Sequence, residues 1–401
     1  MKQEYLEKII ELRHQLHVCP ELSMEEHQTR QILMDFLATH TCLEVVDRGR
    51  WFYAYYHCER PGARAVAFRA DFDALPMEEK AEETGISYGS QNPGVSHKCG
   101  HDGHSAALAG LALELGGWLL KDGRRSKDEE CRESEGGWPP VQDVYLIFQH
   151  GEEVGGGGEE CARLIKEKRI SRVFAIHNRS GYPEGSIVLK SGVVQCASKG
   201  LTVFLAGQPA HASQPEDGRN PARAAAELVL AVQEASRQEN YEDLVMATIV
   251  QVAIGRKNFG IAASEGEVSM TLRGARQSEM EQMEEQIRSQ AAALAARDGL
   301  SVSFREHDVF PETVNDPASV ALAEAAARQG GMEVIAMTEL FRASEDFGYY
   351  LKACPGAMVY VGNGEDYPQI HTARYDFNDR ILETIVEFFK NILISDVLWR
   401  V

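Results

Sequence analysis

Asp143-Val144-Tyr145-Leu146-Ile147-Phe148-Gln149-His150-Gly151-Glu152-Glu153 changes character partway along. Its apolar first half, rich in β-branched and aromatic residues, predicts a buried strand, and its second half delivers an imidazole and two carboxylates at the C-terminal end. Ala65-Val66-Ala67-Phe68-Arg69-Ala70 runs in the same way into Asp71 and Asp73, and Arg172-Val173-Phe174-Ala175-Ile176 delivers His177. Helical spacing over Tyr5 to His17, Met24 to Thr39 and Gly103 to Leu120 sets helices between such strands. Strands alternating with helices predict a mainly parallel α/β sheet, in which ligands sit beyond the carboxyl ends of the strands. Every polar cluster named here falls at such an end.

Between two of these strands lies His97-Lys98-Cys99-Gly100-His101-Asp102-Gly103-His104, a thiol, three imidazoles and a carboxylate within eight residues. Thiolate and neutral imidazole suit zinc and its first-row neighbours, and an extended backbone would let Cys99 and His101 aim at one point. The segment by itself leaves open a closed structural zinc site and a catalytic one. Glu152-Glu153 is the second signal. Adjacent carboxylates after a strand can point apart, one to a metal and one to the water that the metal acidifies to a pKa of roughly 7. Glu-Glu pairs are also common on solvated surfaces; here the position after a strand and the run Val154-Gly155-Gly156-Gly157-Gly158, which permits close approach, favour chemistry. His177 and His371, in Tyr367-Pro368-Gln369-Ile370-His371-Thr372-Ala373, could each be a satisfied structural histidine or could complete a site with Cys99, His101 and Glu153.

The stretch from about Gly200 to Arg305 reads as strand, helix, two strands, helix, strand. That β-α-β-β-α-β order is the ferredoxin-like pattern of a small complete domain. The expected organisation is therefore a catalytic domain formed by residues 1–195 and 306–401, interrupted by an inserted domain at 196–305. Residues 121–142, with Asp122-Gly123-Arg124-Arg125-Ser126-Lys127 and a Gly-Gly-Trp-Pro-Pro turn, read as an exposed insertion.

The 401 residues exceed the usual single-domain length, and 44% hydrophobic with 25% charged residues is ordinary for a globular protein. With 41 basic against 61 acidic residues the net charge is −20, which repels phosphate backbones and anionic membrane surfaces, so nucleic acid is excluded as a partner. No apolar run approaches the ~20 residues of a membrane span, and Met1-Lys2-Gln3-Glu4-Tyr5 has no apolar signal region behind it. Eight scattered cysteines fit a reducing compartment. A cytoplasmic protein without a membrane partner is the expectation.

Arg69-Ala70-Asp71-Phe72-Asp73-Ala74-Leu75-Pro76, Cys99-Gly100-His101-Asp102-Gly103-His104, Phe148-Gln149-His150-Gly151-Glu152-Glu153, Ala175-Ile176-His177-Asn178, Ser344-Glu345-Asp346-Phe347 and Ile370-His371-Thr372 together resemble the dinuclear metallo-amidohydrolases. These are the hippurate hydrolase, N-acyl-amino-acid hydrolase and indole-acetyl-amino-acid hydrolase group within the aminoacylase and carboxypeptidase family. The resemblance spans nearly the whole chain in order. It implies that Cys99, His101, Glu153, His177 and His371 hold two divalent ions, Zn2+ or Mn2+, and that Glu152 is the general acid/base acting on a water between them. Asp71 and Asp73 become carboxylates behind the site, Asp73 orienting a ligating histidine, while His97 and His104 remain structural.

In the inserted domain the resemblance gives His211, in Gln208-Pro209-Ala210-His211-Ala212-Ser213, an oxyanion-holding role in an active site, often that of a partner subunit, and makes Asn258 and Arg273 a grip for the substrate carboxylate. Two departures stand out: Phe259-Gly260-Ile261-Ala262-Ala263 lacks an expected proline, and His150-Gly151 replaces the usual Pro-Ala before the Glu-Glu pair. The implied activity is hydrolysis of the amide of a small-molecule N-acyl amino acid, by a homodimer or higher oligomer. A dipeptidase or carboxypeptidase would keep the same ligands with another pocket. A non-catalytic binding module with a relict metal site is the rival from another class.

Overall fold

The computed structural model describes residues 1–58, 62–116 and 142–395. They form two compact units, the first made of Met1–Val194, Val314–Glu339 and Asp346–Val401, the second of Gln195–Thr313 and Leu340–Glu345.

The first unit is built on an eight-stranded sheet. Across it the strands run Glu44–Asp47, Phe52–Tyr56, Asp143–Gln149, Ala65–Asp71, Ile170–Ser180, Gly356–Gly364, Ile187–Leu189 and Val334–Ala336. The four central strands pair in parallel, in the register Asp71 with Gln149 and Tyr360 with His177. Antiparallel partners flank them on both sides, Phe52–Tyr56 against Asp143–Gln149 and Ile187–Leu189 against Gly356–Gly364. Parallel strands are covered on both faces, which is why these sequences are nearly continuous apolar runs. Ala65–Asp71 is buried along its whole length.

The helix His101–Gly116 starts at the polar run and is buried at every residue. It packs against the helices Gln3–Val18 and Leu382–Ile394. A helix apolar all round belongs inside a layer, and Leu108, Leu111 and Leu115 are fully buried there. Each such leucine contributes about 2 kcal/mol relative to exposure. The helix axis, and with it His101, is therefore set by the core. The expected helix end at Leu120, and all of the expected insertion 121–142 except its last residue, lie outside the described residues; Gln142 is buried, not exposed.

The second unit has a four-stranded antiparallel sheet in the order Val245–Ile254, Glu265–Gly274, Ala197–Ala206, Ser301–Phe310, with the helices Ala222–Ala235 and Gln277–Arg297. Its core is their shared apolar face, Leu201, Val203, Leu228, Val268, Met270, Met283 and Ile287 among others. The last strand runs on past Arg305 to Phe310, because this half is held by pairing with the Ala197–Ala206 strand although Arg305 to Val309 are exposed.

Candidate metal centre

Gly100 stands between Cys99 and His101 with φ 102°, and His101 opens the helix. The two side chains therefore meet across a left-handed glycine, not along the extended backbone expected. A Cβ at position 100 would lie 2.6 Å from both Asn178 Oδ1 and Tyr375 Oη. His177 also departs from expectation. It lies inside the strand Ile170–Ser180, because Gly356–Gly364 continues to pair beside it.

Cys99 Sγ, a nitrogen of His101 and a nitrogen of His177 all fall within 4.8 Å of one another. Cys99, Glu153 and His371 form a second such group, and His101 with Glu152 and Glu153 a third. The first two share Cys99. His101 Nδ1 donates to Asp73 Oδ1 at 2.9 Å, which leaves Nε2 as the lone-pair nitrogen; that atom is buried without a hydrogen-bond partner. His177 Nδ1 donates to the Asn178 carbonyl at 2.8 Å, so its Nε2 faces Cys99 Sγ at 3.4 Å. Both tautomers are those of metal-ligating histidines. Glu153 Oε1 is likewise buried, 3.8 Å from His101 Nε2 and 3.5 Å from His371 Nε2.

The electrostatics ask for a cation. Burial pushes the Cys99 thiol up, and the Glu153 carboxylate adds to it, so a thiolate here needs positive charge. Hydrogen bonding to Cys99 and Glu153 raises His371 to about 10. Thiol, imidazoles and carboxylate thus compete for protons that divalent ions would displace, and the donor set fits two of them. His371 itself sits at φ 59°, held by its amide on the Lys98 carbonyl at 2.7 Å.

The turn after Gln149 sets the carboxylates. Gly151 has φ 61° and Gly155 N donates to Glu152 O at 2.8 Å, while the Glu153 amide donates to Asp73 Oδ2 at 2.9 Å. One aspartate thereby fixes both His101 and Glu153. Glu152 is buried and lies 4.0 Å from His101 Nε2. His104 is engaged at both nitrogens, by Asp71 Oδ1 at 2.7 Å and Asn178 Oδ1 at 2.6 Å. His97 is buried with both ring nitrogens unpartnered, and burial lowers it to about 4. His150 is buried too, 3.6 Å from Glu160 Oε2 and 4.0 Å from Cys161 Sγ.

Two contributors carry no sequence signal. Ser23 Oγ donates to Asp73 Oδ2 at 2.7 Å, and Glu26 Oε1 accepts the Gly151 amide at 2.7 Å. Burial, with the Asp73 charge nearby, pushes Glu26 up to about 7. Both come from the bend between the first two helices; the second begins at His27, not at Met24 as the spacing predicts, so Glu26 precedes it.

Of the remaining site candidates, His211, Asn258 and Arg273 belong to the second unit. His211 is exposed on a two-residue strand paired with Ile261–Ala262, and its Nδ1 lies 2.7 Å from Ser213 Oγ. Asn258 Oδ1 caps its own turn by accepting Gly260 N at 3.0 Å. Arg273 Nη1 donates to Arg342 O at 3.0 Å and Ser344 Oγ at 2.9 Å.

Comparison with known proteins agrees with this chemistry. The model of peptidase family M20/M25/M40 matches residues 130–395. N-acetyl-L-cysteine deacetylase of Bacillus subtilis is 30% identical over 371 residues, 92% of this chain and 83% of the relative. N-acetyldiaminopimelate deacetylase of Exiguobacterium sibiricum is 28% identical over 371 residues, 89% of this chain and 90% of the relative. The crystal structure of a dinuclear metal-binding M20 peptidase from Bacillus subtilis superposes with a TM-score of 0.76 at 23% identity, covering 98% of this chain and 99% of that one, a likeness of fold. With the family model matching most of the chain and a relative aligned along nearly all of it, this protein is a hydrolase of peptidase family M20/M25/M40.

Proposed function

We propose that the protein hydrolyses the amide bond of N-acyl amino acids, releasing a carboxylate and a free amino acid. The observation that carries this reading is the pair of donor groups sharing Cys99 with Glu152 beside them. The two curated relatives named above, both deacetylases of N-acetylated amino acids, support the substrate class. Divalent ions held by Cys99, His101, Glu153, His177 and His371, zinc or manganese, would supply Lewis acidity toward the carbonyl and acidify a water.

The chain's own residues do the rest. Glu152 takes the proton of the attacking water as the C–O bond forms and returns it to the nitrogen as the C–N bond breaks. Asp73 holds the His101 ring in one tautomer and orientation. His211 donates to the tetrahedral oxyanion, a contribution of ~3–4 kcal/mol to the barrier. Asn258 and Arg273 hold the substrate's carboxylate, the guanidinium fork matching its two oxygens.

The second unit serves as lid and dimerisation domain in this reading, and the molecule is a cytoplasmic homodimer. Among the described residues no helix is long and apolar enough to cross a membrane. Its exposed apolar residues Leu230, Val250 and Val252 support self-association.

The test is a panel of N-acyl amino acids and free dipeptides offered to metal-loaded protein, with Glu152→Gln as control. Turnover of the N-acyl compounds that Glu152→Gln abolishes is expected. Fewer than about one metal per chain after reconstitution, or a Glu152→Gln variant as active as the parent, would sink the reading.

A further inference from the structure

Behind Glu152, and apart from the cysteine and histidine donors, lies a fully buried carboxylate that the reaction itself does not use. Asp346 has no exposed surface. Its side chain accepts from Arg69 Nη2 at 2.6 Å, from Gln149 Nε2 at 2.8 and 2.7 Å, and from the backbone amide of Gly158 at 2.8 Å. A buried charge is tolerated only when its lone pairs are taken by donors, preferably charged ones. Here a guanidinium, a side-chain amide and the first amide of the helix Gly158–Glu167 converge on it.

The donors belong to different elements, so the cluster is a frame. Arg69 comes from the strand Ala65–Asp71 and Gln149 from Asp143–Gln149. The same guanidinium reaches Asp71 Oδ2 at 2.6 Å, and Asp71 in turn holds His104. Gln149 Oε1 accepts from Arg69 Nε and from Tyr350 Oη, both at 2.9 Å. Position 158 must be glycine, because a Cβ would come within 2.6 Å of the Asp346 carbonyl oxygen and 2.7 Å of its Cγ. All this fixes one backbone amide: Asp346 N–H donates to Glu152 Oε1 at 3.4 Å.

We propose that Asp346 is a positioning residue for the proton-carrying carboxylate. Its side chain is anchored by Arg69, Gln149 and Gly158 so that its own amide steers Glu152. The inference rests on the reading of Glu152 as general acid/base. It assigns to Asp346 an effect on the chemical step and none on metal or substrate binding.

The test compares Asp346→Asn, Gln149→Met and Glu152→Gln with the parent protein. It uses whichever N-acetyl amino acid the parent turns over, and measures kcat and KM separately beside metal stoichiometry and thermal unfolding. In Asp346→Asn one carboxylate oxygen becomes an amino group that faces donors, so the anchored segment shifts. Because misplacement by about 1 Å can cost on the order of 100-fold, kcat is expected to fall about 10–100-fold, with KM and bound metal within about two-fold of the parent. Gln149→Met removes one of the three donors, the amide that makes two of the contacts, while leaving Asp346 in place, and a smaller fall in kcat is expected with the same unchanged KM. It carries the test if Asp346→Asn fails to fold. An unchanged kcat, or a loss matched by a rise in KM or by lost metal, overturns the inference. A Glu152→Gln variant that stays active sinks its premise instead, whereas an inactive Glu152→Gln beside a fully active Asp346→Asn sinks the inference alone.

Discussion

Asp73 Oδ1 accepts the Nδ1 proton of His101 at 2.9 Å, and that single bond decides which nitrogen of His101 faces the donor group. The opposite oxygen of Asp73 takes the Glu153 amide at 2.9 Å and the Ser23 hydroxyl at 2.7 Å. Removing the carboxylate frees the imidazole to rotate and to exchange tautomers, and it loosens the turn that carries Glu153. Asp73→Ala is expected to weaken metal binding about 10–100-fold. Competition against a chromophoric chelator measures it. An affinity equal to that of the parent would show that the imidazole is held by its packing alone.

Gly100→Ala should be costly for a reason independent of metal. The residue sits at φ 102°, where a side chain is strained, and the new methyl would meet Asn178 Oδ1 and Tyr375 Oη, each at 2.6 Å. Both partners are buried and hydrogen-bonded to each other, Asn178 Nδ2 donating to Tyr375 Oη at 2.6 Å, so neither yields easily. Strain and overpacking together predict a loss of about 2–4 kcal/mol in metal-stripped protein, read from urea unfolding. A variant with the parent's midpoint would mean that the segment relaxes freely.

The parallel core is legible in the sequence because its strands are buried on both faces and two of them end abruptly, in Asp71 and in Gln149; such a switch from apolar to polar is local. The ferredoxin-like order of the second unit is legible from a different local signal, the alternation of β-rich and helix-forming segments. The strand through His177 is misjudged in length, since its extension past Ile176 depends on a partner, Gly356–Gly364, far along the chain. Ser23 and Glu26 leave no local trace, and Asp346, although it lies in the Ser344–Phe347 motif, takes no role from it. Each acts by tertiary convergence on Asp73, Gly151 or Glu152 from a distant part of the chain, which a local pattern does not announce.

The helix Gln3–Val18 carries a buried ionic cluster that makes stability depend on pH. His17 Nδ1 donates to Asp102 Oδ2 at 2.8 Å and Nε2 approaches Glu79 at 3.2 Å. Burial opposes the charge on His17, but the two carboxylates outweigh it and raise the group to about 9. Its folded value lies above its unfolded one, so the stabilisation is fully present below about pH 6.5 and is lost as pH rises through about 9. Glu79 runs the other way. Burial opposes its charge as well, yet His17 and Lys98 lower it to about 2, so its contribution is present above about 4.5 and lost only as pH falls toward 2. Between pH 6 and 10 the parent should lose on the order of 3 kcal/mol through His17, and His17→Gln should flatten that decline. Urea midpoints across the range decide it; equal slopes for the two proteins would remove His17 as the cause.

Self-association, proposed above, has a specific surface to test. Val245–Ile254 is an edge strand of the four-stranded sheet, and Val250, Val252 and Ile254 are exposed along it, Val250 at 62%. The helix Ala222–Ala235, which packs against this strand, exposes Leu230 at 65%. A long apolar edge with unpaired amides and carbonyls invites pairing with another chain unless it is blunted by charge or proline, and no Lys, Arg, Asp, Glu or Pro interrupts Val245–Ile254. A second copy pairing edge to edge would satisfy the ladder and cover the exposed leucine. Val252→Lys combined with Leu230→Glu should therefore convert dimer to monomer in light scattering after gel filtration, while leaving the metal content of the first unit unchanged. If His211 serves a partner's site, the monomeric variant also loses kcat to the extent that His211→Ala does, and adding His211→Ala to it costs nothing further. Additive losses would place His211 in its own chain's reaction, and an unaltered dimer would exclude this edge as the interface.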